Sequence, residues 1–262
     1  MKILNGKDLA SFIKERQARQ VASMKKKPQL LIIRDSDNPV ITKYVNLKIK
    51  YGEDIGIEVE DYLAKNSENI AAKINEANED PAISGIILQL PILEKDKTDQ
   101  LCNLIKPEKD VDGLGVDAKY DSATATAILW LLAGYDIKLE NKKIAIVGRG
   151  KLVGAPLYHI FQASNYDVSL FHRGNDLTNL KNFDIIITAT GAPGLISSDF
   201  ISPGATLVDA GTASEDGVIK GDLVPDLYTR KDLTAITPVK GGVGPLTITC
   251  LFDHLLQATN IV

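Results

Sequence analysis

Lys48 is the side chain most suggestive of chemistry, because it shares a helical face with apolar residues. Asn38-Pro39 reads as a helix start, with Asn as N-cap and Pro at the first helical position, and Gly56 reads as its stop. At about 100° per residue, Val40, Tyr44, Leu47, Tyr51 and Ile55 fall on one face. Lys48 falls among them, one turn after Tyr44, while Lys43, Lys50 and Glu53 point elsewhere. An ammonium kept from water loses basicity and can exchange protons near neutral pH. The alternative is a lysine whose stem covers apolar surface while its head reaches solvent.

A second chemical signal starts at Gly148. An apolar strand runs into Gly148-Arg149-Gly150-Lys151-Leu152-Val153-Gly154-Ala155-Pro156, and a helical run, Leu157–Ala163, follows. The GxGxxxG spacing lets backbone turn tightly and approach a pyrophosphate, whose charge meets a helix N-terminus. The next strand ends in Phe171-His172-Arg173-Gly174, with no acid to hold a ribose 2′-hydroxyl. Arg173, with Arg149 from the glycine turn, suits a 2′-phosphate instead, so NADP is expected over NAD. Without a ligand, both arginines are ordinary surface residues.

Three further segments could line a site. Gln89-Leu90-Pro91 places a polar residue at the carboxyl end of an apolar strand, where α/β sheets collect ligands. Lys109-Asp110-Val111-Asp112-Gly113 puts two acids in a glycine-containing loop that could equally be a surface turn. Thr237 through Pro245, including Gly241, Gly242 and Gly244, is elaborate for a connection, and its glycines would allow backbone to lie against a flat ligand.

The elements that must position these residues alternate between short apolar strands and amphipathic helices, which indicates an α/β fold. Strands are expected at Leu30–Arg34, Ile57–Tyr62, Gly85–Leu90, Lys143–Gly148, Val168–His172, Asp184–Thr190, Thr206–Ala210 and Ala235–Thr237. Helices are expected near 39–55, 67–79, 122–134 and 245–258. Apolar runs such as Ile144-Ala145-Ile146-Val147 fit parallel strands covered on both faces. Two domains follow: residues 1–121 plus 245–262, and an inserted doubly wound, Rossmann-like domain at 139–240, with 122–138 as a linking helix.

Composition narrows the class. The 262 residues are 44% hydrophobic and 24% charged, with net charge −4, a balance that does not favour nucleic acid or an anionic membrane. Lys25-Lys26-Lys27 reads as a solvated helix end, and Cys102 and Cys250 as buried thiols. His159, His172 and His254 lack metal-ligand spacing, so no metal is expected. No apolar run is long enough for a bilayer and the N-terminus lacks a signal-type core, so the cytoplasm is the expected compartment.

Taken in order, Tyr44-Val45-Asn46-Leu47-Lys48, Gln89-Leu90-Pro91, Lys109 through Gly113, Gly148 through Pro156 and Thr237 through Pro245 resemble the methylenetetrahydrofolate dehydrogenase/methenyltetrahydrofolate cyclohydrolase (FolD) family. The resemblance implies a homodimer of two-domain subunits around a cleft, with folate on the first domain and NADP on the second. It implies oxidation of 5,10-methylenetetrahydrofolate and hydrolysis of the methenyl product to 10-formyltetrahydrofolate, a one-carbon reaction sequence that feeds purine biosynthesis. Lys48 would be the central catalytic group, Gln89 its hydrogen-bonded partner, Tyr44 a stacking surface and Asp112 the contact to the pterin amino edge. Leu90, Pro91, Gly241, Gly242, Pro245 and Thr247 would complete the folate site. Gly148, Arg149, Gly150, Val153, Gly154, Pro156, His172, Arg173, Thr190 and Gly191 would contact NADP.

This chain departs from the family pattern at several points. The usual Pro-Cys-Thr-Pro is Ser122-Ala123-Thr124-Ala125, and the loop from Gly113 to Ser122 is short. Lys240 replaces a Pro, Ile41 replaces a Ser before the Tyr, Gly150 replaces a Ser, and Arg173 replaces a Ser after His172. A dehydrogenase without hydrolysis, or a non-catalytic folate-binding paralogue, are the competing readings.

Overall fold

The computed structural model describes residues 1–211, 213–215 and 218–259. Positions 212, 216 and 217 of the expected inserted domain, and the last three residues of the expected 245–262 segment, lie outside the described residues. Along the chain the elements are β1 (Lys2–Ile3), α1 (Gly6–Ser23), β2 (Gln29–Arg34), α2 (Pro39–Ile55), β3 (Glu58–Leu63), α3 (Ser67–Glu79), β4 (Ile83–Leu88) and α4 (Thr98–Cys102). There follow α5 (Ala123–Gly134), β5 (Lys143–Val147), α6 (Gly154–Ala163), β6 (Asp167–Phe171), β7 (Ile185–Thr188), β8 (Thr206–Asp209), β9 (Ala213–Glu215), β10 (Val218–Lys220), β11 (Ala235–Ile236) and α7 (Val243–Thr259).

The chain divides into two compact units, one of residues 11–123 with 248–262 and one of residues 1–10 with 124–247. The first holds a three-stranded parallel sheet in the order β3-β2-β4. Its central strand contributes Leu30, Leu31, Ile32 and Ile33, all without solvent exposure. Burying each such side chain is worth about 1.5–3 kcal/mol, so covering both faces of β2 is a main source of this unit's stability. The edge strand β3, Glu-Val-Glu-Asp-Tyr-Leu, is exposed at Glu58, Asp61 and Leu63 and partly buried at Val59, Glu60 and Tyr62. Acids along that edge discourage pairing with another chain.

The second unit holds a six-stranded parallel sheet in the order β1-β11-β8-β7-β5-β6, with β9 and β10 as a separate antiparallel pair. From β5 the chain steps outward to β6, then back past β5 to β7 and β8. The strand order therefore reverses at β5, and a crevice at the carboxyl end of such a strand is where doubly wound sheets take ligands.

The division differs from the expected domains in two respects. Lys2 and Ile3 pair in parallel with Ala235 and Ile236, so the first residues complete the six-stranded sheet. Helix α5 is core rather than a linker, because its sequence is almost wholly apolar and Ile128, Leu131 and Leu132 are at most 1% exposed. Gly134 is packed so closely that an added Cβ would lie 2.6 Å from Leu9 Cδ1. Helix α1 was expected only by its end, read at Lys25–Lys27 and found at Ser23, and strands β1, β9 and β10 are additional to the expected ones.

Candidate active site

Helix α2 forms where the sequence places its signals. The Asn38 side chain accepts from the Val40 N–H at 2.9 Å, and Gly56 ends the helix at φ 81°, where its N–H reaches Glu53 O and Gly52 O. The inward face is rotated from the expected one: Ile41, Val45, Lys48, Tyr51, Gly52 and Ile55 are buried, whereas Leu47 is 46% exposed and Val40 and Tyr44 are half-buried. The cause is Gly52, whose missing side chain admits strand β3. A Cβ there would meet Val59 Cγ2 at 2.5 Å. The rotation puts Ile41 in the core and carries Lys48 inward, to 9% exposure.

Lys48 Nζ donates to Gln89 Oε1 at 2.6 Å. Gln89 follows β4 directly, with its backbone N–H on Ile33 O at 2.8 Å and its Nε2 on Leu90 O at 2.9 Å. That second bond fixes the amide so that its oxygen faces the lysine. Burial pushes the Lys48 ammonium below its usual range, and the charge of Asp112 opposes the shift. Burial likewise lifts the Asp112 carboxyl to about 6, against the pull of Lys48 and with a small push from Asp110. Burial thus drives both groups toward their neutral forms.

The loop carrying Asp112 is held from two sides. Asp110 is 1% exposed and accepts from the N–H groups of Gly113, Leu114 and Gly115 at 3.0, 3.0 and 2.7 Å. His254, on α7, has Nδ1 at 2.8 Å from Val111 O, so Nδ1 carries the proton, and burial depresses its basicity. Its ring stacks on Tyr120 with centroids 4.8 Å apart. Neither Asp110 nor His254 was singled out for this role from the sequence. Nothing in single-sequence periodicity ties position 254 to position 111.

Tyr44 lies one helical turn before Lys48, and Leu90 is half-buried against the core of Leu31, Ile33 and Leu88. The Leu90-Pro91 peptide is cis, and Pro91 is exposed. Lys48, Gln89, Asp112, Tyr44, Leu90 and Pro91 thus all belong to the three-stranded unit. Gly241, Gly242, Pro245 and Thr247 belong to the other. There Gly242 is buried rather than laid open for a flat ligand. Its carbonyl oxygen would be 1.9 Å from a Cβ on Gly6, and its own Cβ would be 3.1 Å from Thr237 Cβ. Gly241 is half-buried, with φ 85° and its carbonyl accepting from Lys7 N at 2.9 Å, so part of this loop packs on the start of α1. Pro245 and Thr247 are half-buried in α7.

In the six-stranded unit the glycine turn leaves β5 at the reversal point. Gly148 has φ 108°, and a Cβ on it would strike Ala189 O at 2.5 Å. Its N–H donates to Phe171 O at 2.8 Å, tying the turn to the tip of β6. Gly154 opens α6 against the turn, where an added Cβ would sit 1.8 Å from Gly148 O. Arg149 and Gly150 are exposed, Val153 and Pro156 half-buried, and nothing lies within 4 Å of where a Gly150 Cβ would be. Helix α6 starts without a side-chain cap at Val153, whose N–H, like that of Ala155, donates to Gly150 O, at 3.3 and 3.2 Å. Pro156 has no N–H, so the Gly154 N–H is the first-turn donor left to face an anion. His172, Arg173 and Gly191 are exposed and Thr190 half-buried. The backbone N–H of His172 is held by Asn175 Oδ1 at 2.7 Å. These features fit a dinucleotide: close backbone at Gly148 and Gly154, the Gly154 N–H at the head of α6, and solvent-facing guanidiniums at Arg149 and Arg173.

Among the described residues no group of three or more His, Cys, Asp or Glu could hold a metal, and no helix is long and apolar enough to cross a membrane. Cys102 and Cys250 are buried thiols.

Residues 4–112 match the tetrahydrofolate dehydrogenase/cyclohydrolase catalytic domain, and residues 122–261 match the NAD(P)-binding domain of the same family. The bifunctional protein FolD of Staphylococcus aureus (strain Newman) is 34% identical, over 99% of this chain and 97% of that protein. The crystal structure of the bifunctional dehydrogenase/cyclohydrolase from Campylobacter jejuni superposes with TM-score 0.92 at 32% identity, covering 100% of both chains. The Trypanosoma brucei dehydrogenase-cyclohydrolase, complexed with NADP cofactor and inhibitor, has TM-score 0.90 and 26% identity, with coverage of 99% and 97%.

Proposed function

The chain belongs to the tetrahydrofolate dehydrogenase/cyclohydrolase family, and from that premise we propose how its residues divide the two reactions. It is a bifunctional enzyme of folate one-carbon metabolism: it oxidises 5,10-methylenetetrahydrofolate with NADP and hydrolyses the 5,10-methenyl product to 10-formyltetrahydrofolate. The observation that carries the assignment of residues is Lys48, 9% exposed, with its Nζ on Gln89 Oε1.

NADP supplies the hydride acceptor. The protein's part in that step is alignment, which needs no acid or base. Gly148, Gly150 and Gly154 give the pyrophosphate its backbone surface, with Val153 and Pro156 at the head of α6 and Thr190 and Gly191 after β7. Arg173, beside His172, and Arg149 grip the 2′-phosphate. In hydrolysis, water adds to the methenyl carbon and loses a proton, and one carbon–nitrogen bond of the bridge opens. Lys48 moves that proton, Gln89 holds the amine, Tyr44 stacks on the pterin and Asp112 binds its amino edge. Leu90, Pro91, Gly241, Pro245 and Thr247 are the further folate contacts of this reading. Gly242 shapes its loop from within. The reading places the enzyme in the cytoplasm as a homodimer, with 10-formyl groups passing to purine biosynthesis. Sedimentation at the mass of a single chain would refute the dimer.

The test is decay of methenyltetrahydrofolate absorbance with enzyme, alongside NADP reduction with methylenetetrahydrofolate. No acceleration of decay over buffer would remove the hydrolytic assignment. Arg173→Ala is expected to raise the KM for NADP by roughly 10–100-fold, the worth of a charge-assisted contact, with NAD little affected. Equal losses for both cofactors would place Arg173 away from the 2′-phosphate.

Asp112 gives a pH dependence. Its carboxyl, raised to about 6, must be ionised to accept from the pterin's donors. Hydrolytic kcat/KM should therefore fall as pH drops through about 6, by roughly tenfold per unit below it, and Asp112→Asn should lose that limb. A profile flat to about pH 5 in the unaltered enzyme would exclude the contact.

A further inference from the structure

Behind the nicotinamide end of the proposed dinucleotide site stand two adjoining carboxylates, Asp222 buried and Asp209 half-buried, that neither reaction uses directly. Asp222 is 1% exposed and spends both oxygens on one turn. Its Oδ2 accepts from Thr190 N at 2.7 Å and its Oδ1 from Ala192 N at 3.0 Å. Between them Gly191 turns the chain with φ 65°.

Asp222 is itself fixed. Its N–H donates to Asp209 Oδ1 at 3.2 Å, and Asp209 also accepts from Gly211 N, Leu223 N and the Tyr228 hydroxyl at 2.9, 3.1 and 2.9 Å. Two glycines interlock with the two acids. A Cβ on Gly211 would fall 2.1 Å from Asp222 Oδ1, and one on Gly221 would fall 2.1 Å from Asp209 Oδ2. On its other side the turn leans on the glycine turn, since a Gly148 Cβ would be 2.5 Å from Ala189 O and 3.2 Å from Thr190 N. Taking the Asp222 carboxylate out of water beside the half-buried Asp209 is costly. What the arrangement gains is a turn whose N–H groups cannot move.

Topology says what that turn faces. The dinucleotide crosses the carboxyl end of β5, where the strand order reverses. Arg173, after β6, takes the 2′-phosphate on one side, so the tip of β7, on the other side, meets the nicotinamide half. We propose that Asp222 is a positioning residue for hydride transfer, clamping Thr190-Gly191-Ala192 against Gly148 so that the nicotinamide half meets a preformed surface. This rests on the assignment of Thr190 and Gly191 as cofactor contacts.

The experiment uses the full chain with Asp222→Ala and Asp222→Asn. NADP-dependent oxidation of methylenetetrahydrofolate and NADP-free hydrolysis of methenyltetrahydrofolate are measured on the same preparations, with thermal unfolding as a control. Asp222→Ala, which removes both acceptors, is expected to lose about tenfold or more in dehydrogenase kcat at saturating NADP, at least the scale of a single charge-assisted hydrogen bond. Hydrolysis should stay within about twofold. Asp222→Asn, which retains one acceptor oxygen, should fall between, and it carries the test if the alanine variant does not fold. Equal losses in both activities, or an unaltered dehydrogenase, would overturn the clamp. An unsubstituted enzyme with no NADP-dependent turnover would instead overturn the parent reading.

Discussion

Lys48→Met is expected to abolish hydrolysis of methenyltetrahydrofolate, by on the order of 10²–10⁴-fold, while NADP binding survives. Methionine keeps the length of the side chain, so the helix face that buries Ile41, Val45 and Ile55 stays filled. What is lost is the amine that donates to Gln89 Oε1 at 2.6 Å. Stability should hold, because an ammonium whose basicity is already lowered by burial is being replaced by an apolar group. Absorbance decay and fluorescence titration with NADP separate the two effects. Hydrolysis at the unaltered rate would show that Lys48 moves no proton in this reaction.

Gly154→Ala should do the reverse. The added methyl would sit 1.8 Å from Gly148 O and 3.2 Å from Arg149 Cα, both backbone atoms that no rotamer change can move. Helix α6 must back away from the turn, at about 1–3 kcal/mol for forced overpacking. The gap between helix N-terminus and pyrophosphate then widens, so NADP affinity should fall by at least roughly tenfold, taking the dehydrogenase with it. Hydrolysis, whose amine lies in the three-stranded unit, should persist. A variant that binds NADP normally would mean that Gly154 is not needed for close approach.

Much of this was legible from the chain because local chemistry and tertiary packing agree. Asn38-Pro39 and Gly56 bound α2 where their capping preferences put them, and the apolar runs of β2 and β5 are central strands. What was hidden depended on pairings distant in sequence. Lys2 and Ile3 are a strand only because Ala235 and Ile236 lie beside them. Helix α1 is hard to read because its interior face includes Gln17, buried and bonded to Tyr51 Oη and Thr249 O. Hydropathy turns Leu47 inward where the structure exposes it, because a glycine carries no hydropathy signal although Gly52 lies against β3. Asp222 and Asp209 show the same limit, since thirteen positions of chain separate two acids joined through the Asp222 N–H.

His254 comes from the last helix, yet it holds the loop that presents Asp112, and Phe252 of that helix stacks on Tyr51 with centroids 4.8 Å apart. The hydrolytic half is therefore unfinished until residues 252–254 have been made. Splitting the gene after the codon for Glu140 would not yield a working cyclohydrolase fragment. Supplying residues 243–259 as a separate peptide is the more promising route to restoring one.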